Sequence, residues 1–383
     1  MPAMSSRSAA AFFTILFLSM ALGACGSGTK VCPAATSEGC CSGTAACPIQ
    51  TAGFLYATGI TGNVSSYPVL LNGALDVQSS SNTAPTKTLG MAALGRQFIY
   101  VSNFQTPEID AWSISPGDGA LSLVPGSPFT LAGLTLPAGL VTDSSAQVLY
   151  VADAGGIDAF KTDATGALST LPGSPFPGGA NLYLALDPSN RFLFASEDDL
   201  PGSVAAYAVD AAGALTPVAG SPFTTIPGFI GLTAPWPIAV DPTGSFVYTA
   251  LTFDGQSAGS IAAFSIVSSS GALTPVPGSP FPAGTFPVSL VIAKNFLYVA
   301  NIKDGTVSGY SIDTGSGVLT RLTGSPFSIS GGALATDPSG NFLYVAGVSG
   351  IMAFTVNSST GALTPIAGSP FPGGPATELT FVQ

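Results

Sequence analysis

The sequence predicts an all-β protein, a closed ring of like antiparallel sheets, and three observations carry that expectation. The first is composition: 383 residues include 47 Gly and 32 Pro, with 46% hydrophobic and only 8% charged residues. Such a chain must bury a large core and break it often, which excludes a charge-rich disordered protein and leaves almost no helix. The second is a repeat. A "GAL" or "GVL" step begins at Gly73, Gly119, Gly166, Gly213, Gly271, Gly317 and Gly361, at intervals of 46, 47, 47, 58, 46 and 44 residues. Periods of about 20 to 50 residues mark stacked structural units. The third is a displaced strand. An apolar run ending in an aromatic and small residues occurs seven times, from "FLYAT" at 54 to "FLYVA" at 342, each followed by a run such as "IDAWSIS" at 109 or "IMAFTVN" at 351. A further series precedes it, "LGMAAL" at 89, "AGLVTD" at 138, "LYLALD" at 182, "PIAVDP" at 237, "VSLVIA" at 288 and "GALATDP" at 332, but only six times. Its seventh member is "ATELTFV" at 376 to 382, whereas the first "FLYAT" has none ahead of it. Four strands in about 46 residues make one propeller blade, so residues 53–383 are read as a seven-bladed β-propeller of four-stranded antiparallel blades. Blade 1 combines residues 53–78 with 376–383, and this joining of the C-terminal strand to the N-terminal blade leaves no free sheet edge.

Ahead of the ring, residues 1–24 combine Arg7 with the apolar run "AAAFFTILFLSMALGA" and read as an export signal. That run has 16 residues, short of the roughly 20 that span a bilayer. The "LGAC" of Leu22 to Cys25 resembles a bacterial lipoprotein box, which makes Cys25 the lipidation site and membrane anchor; ordinary secretion and a retained anchor are the alternatives. Gly26 after the Cys, by resemblance to Gram-negative sorting, places the protein at the outer membrane of the cell envelope. Residues 25–52 are then a lipidated tether. Its remaining cysteines, Cys32, Cys40, Cys41 and Cys47, are even in number, and an oxidising compartment implies two disulfides, with the neighbours Cys40 and Cys41 not paired to each other. A four-thiolate zinc site is the alternative, although paired C-x2-C spacing is missing.

The net charge is −11, and −12 once Arg7 leaves with the signal. Such a surface repels nucleic acid and anionic lipid head groups. There is no His, which removes the side chain most used for acid-base work near neutral pH and the commonest metal ligand. A monomer is expected.

Within a blade the elements follow in order. Strand one is innermost, and "DPSGN" at 337–341, "DPTGS" at 241–245 and "DPSN" at 187–190 supply tight turns to strand two. "GAL" opens strand four. "GSPF", with copies ending at Phe129, Phe176, Phe223, Phe281, Phe327 and Phe371, closes it, because Pro cannot donate to a ladder, and its Phe is expected to wedge between neighbouring blades. An exposed aromatic circle stacking on sugar rings is the alternative. The 58-residue interval marks an insertion around "TTIPGFIGLTAPW" and "FDGQSAGS". Turns one-to-two and three-to-four share one face of a propeller; loops two-to-three and the blade crossovers share the other, where ligands usually sit. The two-to-three loops carry Glu108, Asp153, Glu197, Asp198, Asp199, Asp254 and Asp304. These are the candidate ligand-binding residues, able to hold Ca2+ through hard oxygens or to accept glycan hydroxyls, with Glu197, Asp198 and Asp199 the best candidate Ca2+ site. A solvated acidic rim is the alternative. No other cofactor is expected.

The unit "DPSGNFLYVA" at 337–346, followed by "VSG", "AFTVN" and "GALTP", resembles the seven-bladed lactonase-like propellers, the family of bacterial 6-phosphogluconolactonase and carboxymuconate cyclase. The resemblance covers residues 53–383 and implies the fold and a lactone-opening activity. It also implies an Arg-His pair on an inner strand and an Asn-Glu pair after strand two. The first falls on Leu182 and Tyr183, or on Trp236 and Pro237, and the second on Glu197 and Asp198, so only acid remains. A phosphorylated lactone needs cations. Arg96, Arg191 and Lys294 fall at one-to-two turns on the opposite face and Lys161 near the end of strand three, leaving Lys87, Lys303 and Arg321. The sequence is therefore read as a binding or scaffold protein for a protein or glycan ligand, without catalysis. The alternative is a lactonase-like hydrolase of a neutral lactone, with Glu197 or Asp198 as base.

Overall fold

Each "DP" turn reverses the chain for a simple electrostatic reason: the Asp carboxylate collects the N–H groups that the turn strips of partners. Asp241 accepts from the backbone of Thr243, Ser245 and Phe246 and from the Thr243 hydroxyl, and Asp187 and Asp337 repeat the arrangement. The computed structural model describes residues 51–59, 63–77, 80–83, 88–131, 133–198, 202–226, 234–252, 257–374 and 376–383. Among these there is no helix, and the strands form seven antiparallel sheets. Blade 2 sets the pattern, with Thr88–Leu94 innermost, then Phe98–Asn103, Glu108–Ile114 and the short outer strand Leu121–Leu123.

The ring closes as the displaced strand predicts. Ala376–Val382 pairs antiparallel with Thr51–Gly59, from Phe54 opposite Val382 to Gly59 opposite Ala376, and becomes the innermost strand of blade 1. The hydroxyls of Thr58, Thr88 and Thr377 bond to one another across this seam. The outer edge of blade 1 runs further than residue 78: Ser80–Thr83 pairs with Asn63 to Ser66, while the "GAL" segment contributes only a bridge between Leu75 and Val69.

The ring has no single core. Seven apolar clusters lie one at each interface between successive blades, including the one between blades 7 and 1. The "GAL" glycines explain how the blades dock. All seven have φ between +67° and +89°, a region that disfavours any residue with a Cβ. Each also faces a side chain of the preceding blade, as Gly119 faces the Phe54 ring and Gly317 the Phe246 ring, where an added Cβ would collide. The glycine carbonyl then accepts a tyrosine hydroxyl from that blade: Tyr56 to Gly119, Tyr100 to Gly166, Tyr150 to Gly213, Tyr248 to Gly317, Tyr298 to Gly361 and Tyr344 to Gly73, at 2.7–3.0 Å. Blade 4 carries Phe194 at this position and lacks the bond.

"GSPF" differs from expectation in a specific way: the Ser-Pro interrupts strand four and does not end it. Pairing with strand three resumes at the Phe, as in Phe129–Thr130 opposite Glu108 and Ile109, and as single bridges at Phe327 and Phe371. Across the gap, one residue of strand three would lose a ladder partner for its N–H. The serine hydroxyl supplies it, Ser127 to Ala111, Ser174 to Ala159, Ser221 to Ala206, Ser279 to Ala263, Ser325 to Gly309 and Ser369 to Ala353, all at 2.9–3.0 Å. The phenylalanines join the inter-blade clusters, buried at Phe176 and Phe281 and half-buried elsewhere.

Candidate functional site

Two of the seven acids expected at the crossover face turn into the protein. Asp153 ends strand two of blade 3 and is buried; its oxygens accept the N–H groups of Thr135 and Leu136, at 3.0 and 2.6 Å, and the Thr135 hydroxyl. Glu197 occupies the same strand end in blade 4, also buried, and accepts the Gly179 N–H at 2.8 Å and the Ser203 hydroxyl at 2.7 Å. Asn301 does likewise in blade 6, with the Gly284 N–H. The physical reason is shared: the incoming crossover brings backbone donors with no ladder to join, and the polar residue ending strand two satisfies them. Asp304 accepts the Thr285 N–H at 2.6 Å from the exposed side of the same crossover, and Glu108 accepts the Thr106 hydroxyl. Asp198 is exposed. Asp199 and Asp254 lie outside the described residues, as do Cys25, Cys32, Cys40, Cys41 and Cys47. Among the described residues no group of three or more His, Cys, Asp or Glu side chains is placed to hold a metal ion.

Under the crossover between blades 2 and 3 lies a second carboxyl. Asp158, on strand three of blade 3, is buried, and its Oδ1 has no hydrogen-bond partner. Burial, and then the charge of nearby Asp153, push its carboxyl up to about 6 against the pull of the Ser174 hydroxyl.

The central channel is more informative. Its wall is the ring of innermost strands, Thr88–Leu94, Leu140–Asp143, Asn181–Leu186, Ala234–Val240, Pro287–Ala293, Ala333–Thr336 and Ala376–Val382, each touching the next around the circle. These strands hold no Lys or Arg and just two acids. Asp143 caps the one-to-two turn of blade 3 through Ser145 and Ala146 and belongs to the far end. The other is Glu378. It sits opposite Thr58, near the crossover-face end of the closing strand. The wall around it is neutral and largely self-bonded: the Thr142 hydroxyl bonds the Ala93 carbonyl, that of Thr380 the Met91 carbonyl, and the Ser289 hydroxyl accepts the Leu334 N–H.

Glu378 is partly open to the lumen and enclosed by protein around it, and this loss of water pushes its carboxyl up to about 8. No hydrogen bond to that carboxyl is found among the described residues. Tyr183 stands on the inner strand of blade 4, roughly across the ring from blade 1, and pairs with Ser196 near the same crossover-face end. Burial, and then the charge of Glu378, hold its phenol well above the ordinary range, so it remains a neutral O–H donor. Glu378 was legible in principle: in the aligned series of inner strands it is the one charged residue away from a turn.

The cations lie elsewhere. Arg96, Arg191 and Lys294 are at the one-to-two turns, where two surface depressions also lie, one lined by Arg96 and Ser113, the other by Asp241 and Lys294. Lys161 donates to the Ala146 carbonyl on that same face. Lys303 is exposed on the crossover face, in the two-to-three loop of blade 6 and off the channel wall, Arg321 is on an outer strand and Lys87 lies outside the described residues. The crossover face instead exposes Phe104, Leu136, Ile302 and Val348.

Fold and channel together define a seven-bladed β-propeller whose inner strands hold no Lys or Arg and, among the described residues, one carboxyl without a hydrogen-bond partner. The chain belongs to the family of lactonases with a seven-bladed β-propeller, whose profile matches residues 98–221 and 199–328. Among solved structures it is similar to a Bacteroides uniformis protein with the provisional name 6-phosphogluconolactonase, at 16% identity and a TM-score of 0.71 over 87% of this chain and 100% of that one. It is also similar to the periplasmic gluconolactonase of Pseudomonas aeruginosa, at 17% identity and a TM-score of 0.65 over 86% and 99%. A protein from Lactobacillus plantarum gives 19% identity and a TM-score of 0.67 over 87% and 100%. At these identities the likeness concerns the fold. A comparison with curated proteins finds no match.

Proposed function

We propose that this chain is a hydrolase of a neutral lactone, acting at the crossover-face mouth of its central channel. Membership in a lactonase family moves our reading from a non-catalytic binder or scaffold to a hydrolase. The observation that carries the substrate class is the absence of Lys and Arg from all seven inner strands. A phosphate or carboxylate drawn into such a lumen would give up its water without gaining a bidentate or charged partner. The apolar side chains of Phe104, Leu136, Ile302 and Val348 on the same face support an uncharged substrate further. The export signal and the lipid on Cys25 belong to this reading, which places the reaction in the cell envelope.

The test is hydrolysis of matched lactones, followed by proton release: unsubstituted and alkyl-substituted five- and six-membered rings, gluconolactone, and 6-phosphogluconolactone. Turnover of one or more neutral rings, with the phosphorylated ring at least 100-fold poorer in kcat/KM, is expected. Preference for the phosphorylated ring would overturn the substrate class, and inertness toward every ring would overturn the hydrolase.

A further inference from the structure

We infer that Glu378 is the general base of lactone hydrolysis and that Tyr183, from the other side of the lumen, donates to the oxyanion; the inference rests on the hydrolase reading above. Four observations converge on Glu378. It lies on the closing strand, in the wall of the channel and near its crossover-face end. It is the one acid of the seven inner strands that caps no turn. Its carboxyl has no hydrogen-bond partner among the described residues, whereas Asp153 and Glu197 are engaged, and Asp158, whose Oδ1 is also unpartnered, lies on strand three of blade 3 and not in the channel wall. Tyr183 stands on the inner strand of blade 4 near the same crossover-face end, and burial, then the charge of Glu378, keeps its phenol protonated.

The step balances without a cofactor. Glu378, as carboxylate, takes one proton from a lumen water while the water oxygen forms a bond to the lactone carbonyl carbon. The carbonyl oxygen becomes an oxyanion and accepts a hydrogen bond from the Tyr183 O–H. The ring C–O bond then breaks, the leaving alkoxide takes the proton from Glu378, and the product is a hydroxy acid. In water the new acid loses its proton, and the resulting anion finds no cation in the wall. Product release is thereby favoured by the same composition that selects a neutral substrate.

Desolvation supplies the pH dependence. With the carboxyl pushed up to about 8, the base is mostly protonated at neutral pH, and kcat/KM must rise with pH through that region, since this parameter reports the free enzyme. The titratable side chains on the strands packed against the closing strand are Tyr56 and Tyr344, and both hydroxyls are bonded to glycine carbonyls of the next blade. Tyr183 therefore remains the titratable group coupled to Glu378.

The experiment compares wild type, Glu378→Gln and Tyr183→Phe on the best neutral lactone, with kcat/KM measured from pH 5 to 9.5 and melting temperature recorded for each protein. Wild type should rise toward a plateau with an apparent pKa near 8. Glu378→Gln should fall by about 10²–10⁴ while still folding, because Gln is isosteric and removes a buried ionisable group. Tyr183→Phe should lose about 10²–10³ in kcat and keep the wild-type pH profile. If wild type is active and folded Glu378→Gln stays within 5-fold of it, or if the profile is already flat from pH 6 upward, the assignment of Glu378 is wrong and the hydrolase reading survives. If wild type opens no lactone, both fall.

Discussion

Phe194 is the one gap in the circle of tyrosine clamps, and filling it gives a sharp test of how the blades are held together. Phe194 is fully buried, in the cluster between blades 4 and 5. Gly271, the partner its position calls for, has φ +76° and packs against Phe192 as the other "GAL" glycines pack against their neighbours. If the Gly271 carbonyl waits where the other six do, Phe194→Tyr adds a buried neutral hydrogen bond worth a net 0.5–1.5 kcal/mol, about the usual contribution. If it does not, the new hydroxyl is stranded in a fully buried site and costs about 1–3 kcal/mol. The sign is thus diagnostic. Tyr298→Phe supplies the reverse change: it deletes a 2.7 Å bond and leaves the Gly361 carbonyl unpaired, at a cost of about 1–3 kcal/mol. Urea unfolding reads both, as a shift in midpoint at constant slope. A higher midpoint for Phe194→Tyr and a lower one for Tyr298→Phe are expected. A lower midpoint for Phe194→Tyr would refute the equivalence of the seven interfaces.

Two further tests separate architecture from chemistry. Glu197→Ala should destabilise the protein by about 1–3 kcal/mol, because the Gly179 N–H and the Ser203 hydroxyl lose a buried acceptor; an unchanged urea midpoint would show that the crossover does not depend on this clip. Asp158 titrates higher in the folded protein, near 6, than in the unfolded chain, so its contribution to stability is present below about pH 4 and is lost as pH rises to 6. Asp158→Asn should therefore gain melting temperature relative to wild type across that window and hold the gain above it; a difference that does not vary with pH would refute the raised pKa.

The architecture was largely legible because repetition turns a weak local signal into a count. Seven copies of "GAL" and seven of the "FLYVA"-like run fixed the number of blades, and the displaced "ATELTFV" fixed the closure. Individual roles were less legible. Spacing placed Asp153 and Glu197 on the right face, yet nothing in the sequence says that a crossover will bring unpaired N–H groups to them and draw both carboxylates inward. "GSPF" read as a stop because Pro lacks a donor. The serine at the preceding position, which replaces the lost ladder partner, becomes visible only when strand three is seen beside it. Glu378 was less legible because the loops vary more conspicuously, while the informative departure is a single charge away from any turn in the series of inner strands.

The seam at blade 1 gives the molecule an order of events. Thr58 and Thr377 meet across 319 positions of chain, so this contact has one of the largest entropic costs of any in the ring. The ribosome delivers the chain from its N-terminus, and six inner strands emerge before the seventh. Until then blade 1 has an open inner edge, the lumen has a gap in its wall, and the lumen carboxyl has not arrived. One seven-residue strand therefore completes the channel wall, the last sheet and the placement of the lumen carboxyl together.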